Sequence, residues 1–160
     1  MSVGSTSFNE LVHAACSHEC ALALEQRGIH ELVLQVGQTS AQPALPKHSN
    51  LSLYVFTFVD DFQQLLRSAS LVVCHAGAGC SLEAVRNKRP AILVPNETLM
   101  HNHQLELAQE LDRLGHAKMA RLDCLATAIE QLDTSSLKLQ LPNADPSRLQ
   151  AVLDEVCFRG

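Results

Sequence analysis

The chain has 160 residues and a formal net charge of −5, enough for one domain and too short for two of ordinary size. With 46% hydrophobic and 18% charged residues it can bury a core, which excludes a disordered tail. The acidic balance, and 4% aromatics with no tryptophan, argue against nucleic acid as a partner, since phosphates need a basic face and bases need stacking platforms.

Ser7-Phe8-Asn9-Glu10 has the spacing of a capping box, and Phe8, Leu11, Val12, Ala15 and Cys16 then recur at helical intervals. This predicts a helix to about His18. A second short helix is expected over Glu19 to Arg27, closed by Gly28. Leu32 to Val36 reads as a strand stopped by Gly37, and 38–50 as a polar, proline-bearing loop. Leu51 to Phe58 reads as a strand, after which Asp60 or Asp61 caps a helix through Arg67. Leu71 to Cys74 is a short, wholly apolar strand of the kind a parallel sheet covers on both faces. The glycine-bearing turn 75–79 leads to a helix from about Cys80 to Asn87. Pro90 opens the strand Ala91 to Pro95, and a helix follows near His101–Leu114, ended by Gly115. A short strand at Ala117 to Ala120, a helix begun by Asp123 or Thr127, and a last helix over Pro146–Phe158 complete the chain. Strands alternating with helices predict one α/β domain over 1–160, built on a doubly wound, Rossmann-like and mostly parallel sheet.

Residues 1–15 lack the basic start and apolar run of a signal peptide. The longest apolar stretch, Leu51 to Val59, is interrupted by Ser52 and Thr57 and falls short of the ~20 residues a membrane helix needs. No direct membrane span is therefore expected. The six cysteines, at 16, 20, 74, 80, 124 and 157, read as reduced and mostly buried thiols. Cys16 and Cys20 lie one helical turn apart near His13 and His18, but no second pair with finger-like spacing follows, and no metal is expected.

The unit 71–95 carries the chemistry. Gly77 and Gly79 allow a tight turn and close backbone approach to a ligand, and the following helix offers free N–H groups and a positive dipole end suited to a diphosphate. Gly-x-Gly alone also describes an ordinary strand-to-helix turn. Its position beyond the C-terminal end of a strand is where open α/β sheets bind ligands. It is not the dinucleotide fingerprint, which has a third glycine after the first strand. Glu83, one turn further on, is placed either to complement the dipole or to accept bonds from a ribose diol. His75 suits phosphate contact or a structural hydrogen bond. Asn96, Asn102, His103 and Gln104 suit sugar hydroxyls or a polar surface loop.

His75-Ala76-Gly77-Ala78-Gly79-Cys80-Ser81-Leu82-Glu83-Ala84 and the stretch Asn96 to Ala108 closely resemble the asparagine-linked glycosylation subunit 13 family, with support from Val3 to Phe8, Leu34 to Gly37 and the closing helix. That family is the catalytic half of a two-subunit UDP-N-acetylglucosamine transferase on the cytosolic face of the endoplasmic reticulum, and is similar to the C-terminal half of the bacterial peptidoglycan N-acetylglucosamine transferase. The resemblance implies a GT-B glycosyltransferase C-terminal domain. It implies UDP-N-acetylglucosamine as donor, dolichyl-diphosphate N-acetylglucosamine as acceptor, and a membrane-anchored partner of the asparagine-linked glycosylation subunit 14 type. No cofactor is implied.

By the same resemblance Val59 meets uracil, Gly77, Ala78 and Gly79 hold the diphosphate beside His75, and Glu83 takes the ribose. His103 and Gln104 reach the sugar and diphosphate, and Gly4, Ser5 and Thr6 form a loop facing the acceptor. Leu149, Val152, Leu153 and Val156 on the last helix dock on the partner. The general base is not identified. One departure stands out: only Ser2-Val3 remain where the family has a full apolar strand before the Gly4 loop. A truncated first strand predicts unpaired edges at the centre of the sheet and an opened core. It also leaves a second reading, a non-catalytic relative that binds UDP-sugar or the partner alone.

Overall fold

The structure, a computed structural model, describes residues 1–4, 7–40, 42–96 and 103–139. The expected last helix, with Leu149, Val152, Leu153 and Val156, and the loop residues Ser5 and Thr6 lie outside the described residues.

Helices α1 (Asn9–Ala15) and α2 (His18–Gln26) precede strands β1 (Glu31–Gln35) and β2 (Ser52–Phe56). Helix α3 (Phe62–Ser68), strand β3 (Val72–Cys74), helix α4 (Ala78–Arg86) and strand β4 (Ala91–Leu93) follow. Helix α5 (His103–Arg113), strand β5 (Lys118–Met119), a 3-10 turn (Leu122–Cys124) and helix α6 (Leu125–Gln131) close the described chain.

All strand pairs are parallel: β1 with β2, β3 with β4, and β4 with β5. Ser2 joins the two groups by bridging in parallel to both Gln35 and Cys74. The order is thus β2, β1, residues 1–3, β3, β4, β5, with the direction of travel reversing beside residues 1–3. That is the doubly wound arrangement and its switch point.

Alternation along the strands sends side chains to two cores. Val73 and Ile92 join Leu11, Val12, Leu125 and Ile129 from α1 and α6. Val72, Cys74 and Leu93 join Leu66, Ala84 and Leu111 from α3, α4 and α5. With both faces covered, β3 and β4 are wholly buried, as their unbroken apolar sequence requires. By contrast β2 leaves Tyr54, Val55 and Phe56 exposed.

Most predicted elements stand within a few residues of where the sequence places them. The capping box is a correction. Helix α1 begins at Asn9 with Phe8 at its N-cap and no side-chain cap. Phe8 is buried in the core, and its amide donates to Thr39 Oγ1 at 3.2 Å. Burial of the ring sets the entry of the chain, so the start moves past Ser7. Ser17 then divides α1 from α2, its hydroxyl accepting from the Cys20 amide. Asp61, and not Asp60, caps α3 by accepting from the Gln64 amide at 2.8 Å.

Residues 1–3 continue the sheet at the C-terminal ends of β1 and β3. Ser2 N–H donates to Val73 O at 2.9 Å, Val3 N–H to Gln35 O at 3.0 Å, and Gln35 N–H to Met1 O at 2.9 Å. Below Met1 the two strands are separated by a cavity of about 450 Å³.

Candidate functional site

Because the strands are parallel, the segments that follow them gather at one end of the sheet. Gly4 follows residues 1–3, Val59 lies in the segment between β2 and α3, the 75–79 turn follows β3, and Asn96 follows β4.

The turn after β3 is built around His75. Its ring is buried between two glycines. A Cβ on Gly77 would stand 2.2 Å from His75 Nε2, and one on Gly4 would stand 2.7 Å from His75 Cε1. Neither position admits a side chain. Gly4 also has φ of +66°, in the left-handed region that favours glycine. The residue between His75 and Gly77 carries local strain: Ala76 has φ of +61° and is fully buried, a conformation costing about 1–3 kcal/mol that surrounding packing must enforce. His75 N–H donates to Ser2 O at 3.3 Å, tying the turn to the start of the chain. Burial pushes the His75 imidazole below its ordinary value, favouring the neutral ring at pH 7. Its Nδ1 is buried and finds no partner among the described residues, a cost of about 1–3 kcal/mol.

Gly77 is the N-cap of α4, with extended backbone and no side-chain cap. The first-turn amides of Ala78, Gly79 and Cys80 are the donors a helix start leaves without intrahelical partners, at the positive end of the dipole. Ala78 and Gly79 are exposed. A Cβ on Gly79 would meet nothing within 4 Å, so the approach to these amides is open.

Beneath the turn, Cys74 and Cys80 lie buried as free thiols. The neighbouring Cys74 sulfur, and then burial, push the Cys80 thiol well up, which keeps it protonated and unreactive. Cys74 Sγ lies 3.9 Å from Ser81 Oγ. These groups pack the base of the turn.

Glu83 lies on the same helix as the open turn. Its Oε1 accepts from Arg86 at 3.1 Å and its Oε2 from Gln63 Nε2 at 3.1 Å, and its side chain is 26% exposed. Gln63 belongs to α3, the helix entered directly after Val59. The structure thus links the Val59 segment to Glu83 through a residue that sequence reasoning passed over. The Asp61 cap two residues earlier was the available signal, because it fixes where α3 begins.

Gln104 Oε1 accepts from the Asn96 amide at 3.3 Å. His103 opens α5, and its side chain lies outside the described residues. The structure therefore packs His75 against Gly4 and Gly77, bonds Gln63 of α3 to Glu83, and leaves Gly79 open. Among the described residues no group of three His, Cys, Asp or Glu side chains is placed to hold a metal ion.

The sequence profile of the glycosyltransferase family 28 C-terminal domain matches residues 1–154. The chain is 37% identical over 150 residues to UDP-N-acetylglucosamine transferase subunit ALG13 of Mus musculus, covering 90% of this chain and 13% of that protein. It is 30% identical over 156 residues to UDP-N-acetylglucosamine transferase subunit ALG13 of Yarrowia lipolytica, covering 95% of this chain and 80% of that one. Among solved structures, that of MurG from Acinetobacter baumannii superposes with a TM-score of 0.67 at 23% identity, covering 99% of this chain and 48% of that chain. This last likeness is one of fold: a mostly parallel sheet with helices on both faces, as in the C-terminal Rossmann-like domain of GT-B glycosyltransferases.

Proposed function

Because this chain belongs to the glycosyltransferase family 28 C-terminal-domain family and to the ALG13 subunits within it, we propose that residues 1–160 act as one nucleotide-sugar-binding domain that holds UDP-N-acetylglucosamine at the start of α4. In this reading the chain is the catalytic subunit of a two-subunit transferase. It passes N-acetylglucosamine to dolichyl-diphosphate N-acetylglucosamine during synthesis of the lipid-linked oligosaccharide for N-glycosylation. It works at the cytosolic face of the endoplasmic reticulum beside a membrane-anchored partner. No helix among the described residues is long and apolar enough to cross a membrane.

The observation that carries the reading is the open first turn of α4. Ala78 and Gly79 are exposed there, and a Cβ on Gly79 would meet nothing within 4 Å, at the switch point of a parallel sheet. A diphosphate placed there meets N–H groups and the dipole together. The acceptor hydroxyl attacks the anomeric carbon, the bond from that carbon to the UDP oxygen breaks, and the configuration inverts. UDP departs with the electron pair. Charge grows on the diphosphate as the bond lengthens, and donors fixed in advance stabilise that growing charge more than the ground state. The acceptor proton passes to a general base.

Glu83 receives the ribose hydroxyls. To do so it exchanges its bonds to Gln63 and Arg86, of which the Arg86 pair is largely solvated and weak. Val59 offers its main chain to uracil, His75 supports the diphosphate, and His103 with Gln104 reaches the sugar. Gly4, Ser5 and Thr6 line the acceptor side, while Leu149, Val152, Leu153 and Val156 meet the partner.

Calorimetric titration with UDP-N-acetylglucosamine, with and without the partner, tests this reading. Binding is expected, and it should weaken in Glu83→Ala while the fold is kept. Absence of binding in both titrations would sink it.

A further inference from the structure

Strand β2 lies at the edge of the sheet, with β1 on one side and, among the described residues, no strand on the other. Its bonds to β1 run through alternate residues. Ser52 N–H donates to His30 O at 2.8 Å, and Phe56 O accepts from Val36 N–H at 2.8 Å. The even-numbered residues of β2 therefore bond to β1, and the N–H and C=O groups of Leu53 and Val55 face outward. On either side of them the main chain is engaged: Leu51 N–H donates to Ser49 Oγ at 3.2 Å, and Thr57 O accepts from Gly37 N–H at 3.0 Å. The open edge thus centres on 53 and 55.

Exposed strand edges are normally guarded by charged residues or proline. None occurs from Ser49 to Val59. Four of the six exposed large hydrophobic residues among the described residues, Tyr54, Val55, Phe56 and Phe58, lie in this stretch, and a cluster of that kind marks a contact surface rather than scattered exposure. Charge resumes at the two ends with opposite sign. Lys47 and His48 are exposed on a turn closed by Ser49 N–H to Pro46 O at 3.0 Å. Asp60 and Asp61 are exposed at the far end, where the Asp61 carboxylate is held by the Gln64 amide at 2.8 Å. Lys47 and Asp61 are equally distant in sequence from Tyr54, and so are His48 and Asp60.

We propose that this edge pairs with the same edge of a second copy of the chain, about a twofold axis at Tyr54. A twofold axis normal to the sheet sets the two β2 strands antiparallel, so that one surface serves both copies. In that register Leu53 of each copy stands opposite Val55 of the other and exchanges both main-chain bonds with it. Every outward group of 53 and 55 is then satisfied. Tyr54 meets its own equivalent between these bonded pairs, with Phe56 as a diagonal neighbour on the same face, while Leu53 packs beside Val55 on the opposite face. The antiparallel sense also carries the Lys47 turn of each copy to the Asp60–Asp61 end of the other. A parallel pairing of the two edges would set like charges together, so the charge order of the chain complements itself in the twofold arrangement.

The test uses the 160-residue chain at rising concentration. A contact this small belongs to the weak, transient class, so sedimentation velocity is followed up to about 1 mM. A dimer is expected. Hydrogen exchange at the Leu53 and Val55 amides should slow about twofold or more once half the chain is dimeric, with no change at Tyr54 and Phe56. Val55→Pro removes one outward N–H and leaves the bonds to β1 in place, and it should raise the dissociation constant about tenfold or more. Val55→Thr, which keeps the N–H, should change it far less. Lys47→Glu and Asp60→Lys should each raise it about threefold, and the two changes in one chain should restore it. A chain that stays monomeric throughout overturns the proposal, as does a dimer that ignores Val55→Pro or leaves the 53 and 55 amides unprotected. Protection of those amides by an added Thr-Val-Leu-Val peptide, with no dimer formed in its absence, would assign the edge to a different polypeptide and overturn it too.

Discussion

The two sides of the turn after β3 meet opposite surroundings. On the inner side the His75 ring is wedged between Gly4 and Gly77, with no room for a Cβ at either. On the outer side, two residues further on, a Cβ at Gly79 would meet nothing within 4 Å. The inner glycine serves the fold: it lets a strained, buried turn hold the start of α4 in place. The outer glycine leaves the helix amides open to a ligand. One Gly-x-Gly pair therefore carries both of its possible meanings, one at each glycine.

Substitution at the inner glycine should have the largest effect. Gly77→Ala drives a methyl group into His75, and a stability loss of about 1–3 kcal/mol is expected in urea denaturation. Adding His75→Ala should recover part of that loss, as a double-mutant cycle would reveal. Strict additivity of the two changes would break the inner half of the comparison. Glu83→Ala tests the outer half. UDP affinity should fall about tenfold or more, equivalent to about 1.4 kcal/mol, while unfolding changes by less than about 1 kcal/mol because its ion pair is exposed. Equal losses in affinity and stability would make Glu83 a structural residue.

Asp61→Ala removes the cap of α3 and should cost about 1 kcal/mol. It should also disturb Gln63, with a smaller effect on UDP affinity than loss of Glu83 itself. The pH response follows from His75, whose folded value lies below 6.5. Beneath 6.5 the unfolded chain takes up a proton that the folded chain refuses. The contribution of a neutral His75 is therefore complete above pH 6.5 and is lost as pH falls toward the folded value. His75→Gln should flatten this part of the stability profile. Gly79→Ala should be the mildest change to the fold, within about 0.5 kcal/mol, yet it should weaken UDP binding by placing a methyl group among the amides.

The order of elements and the 75–79 turn were readable from the sequence because β3 and β4 are wholly apolar and their neighbours carry plain helix and turn signals. Ser7-x-x-Glu10 misled for a physical reason: burial of Phe8 outweighs a cap, and the sequence does not reveal which competing interaction wins. Gly77 and Gly79 look alike in sequence, since only the packed His75 ring distinguishes them. Gln63 reaches Glu83 across 20 positions, a contact that no local pattern encodes.

The most direct test of the central claim is an NMR titration of the isotope-labelled chain with UDP. The account predicts that the largest amide shifts fall on Ala78, Gly79 and Cys80, with smaller ones near Glu83 and Gln63 and little change along 52–56 of β2. Shifts centred away from the start of α4, or none at millimolar UDP, would contradict it.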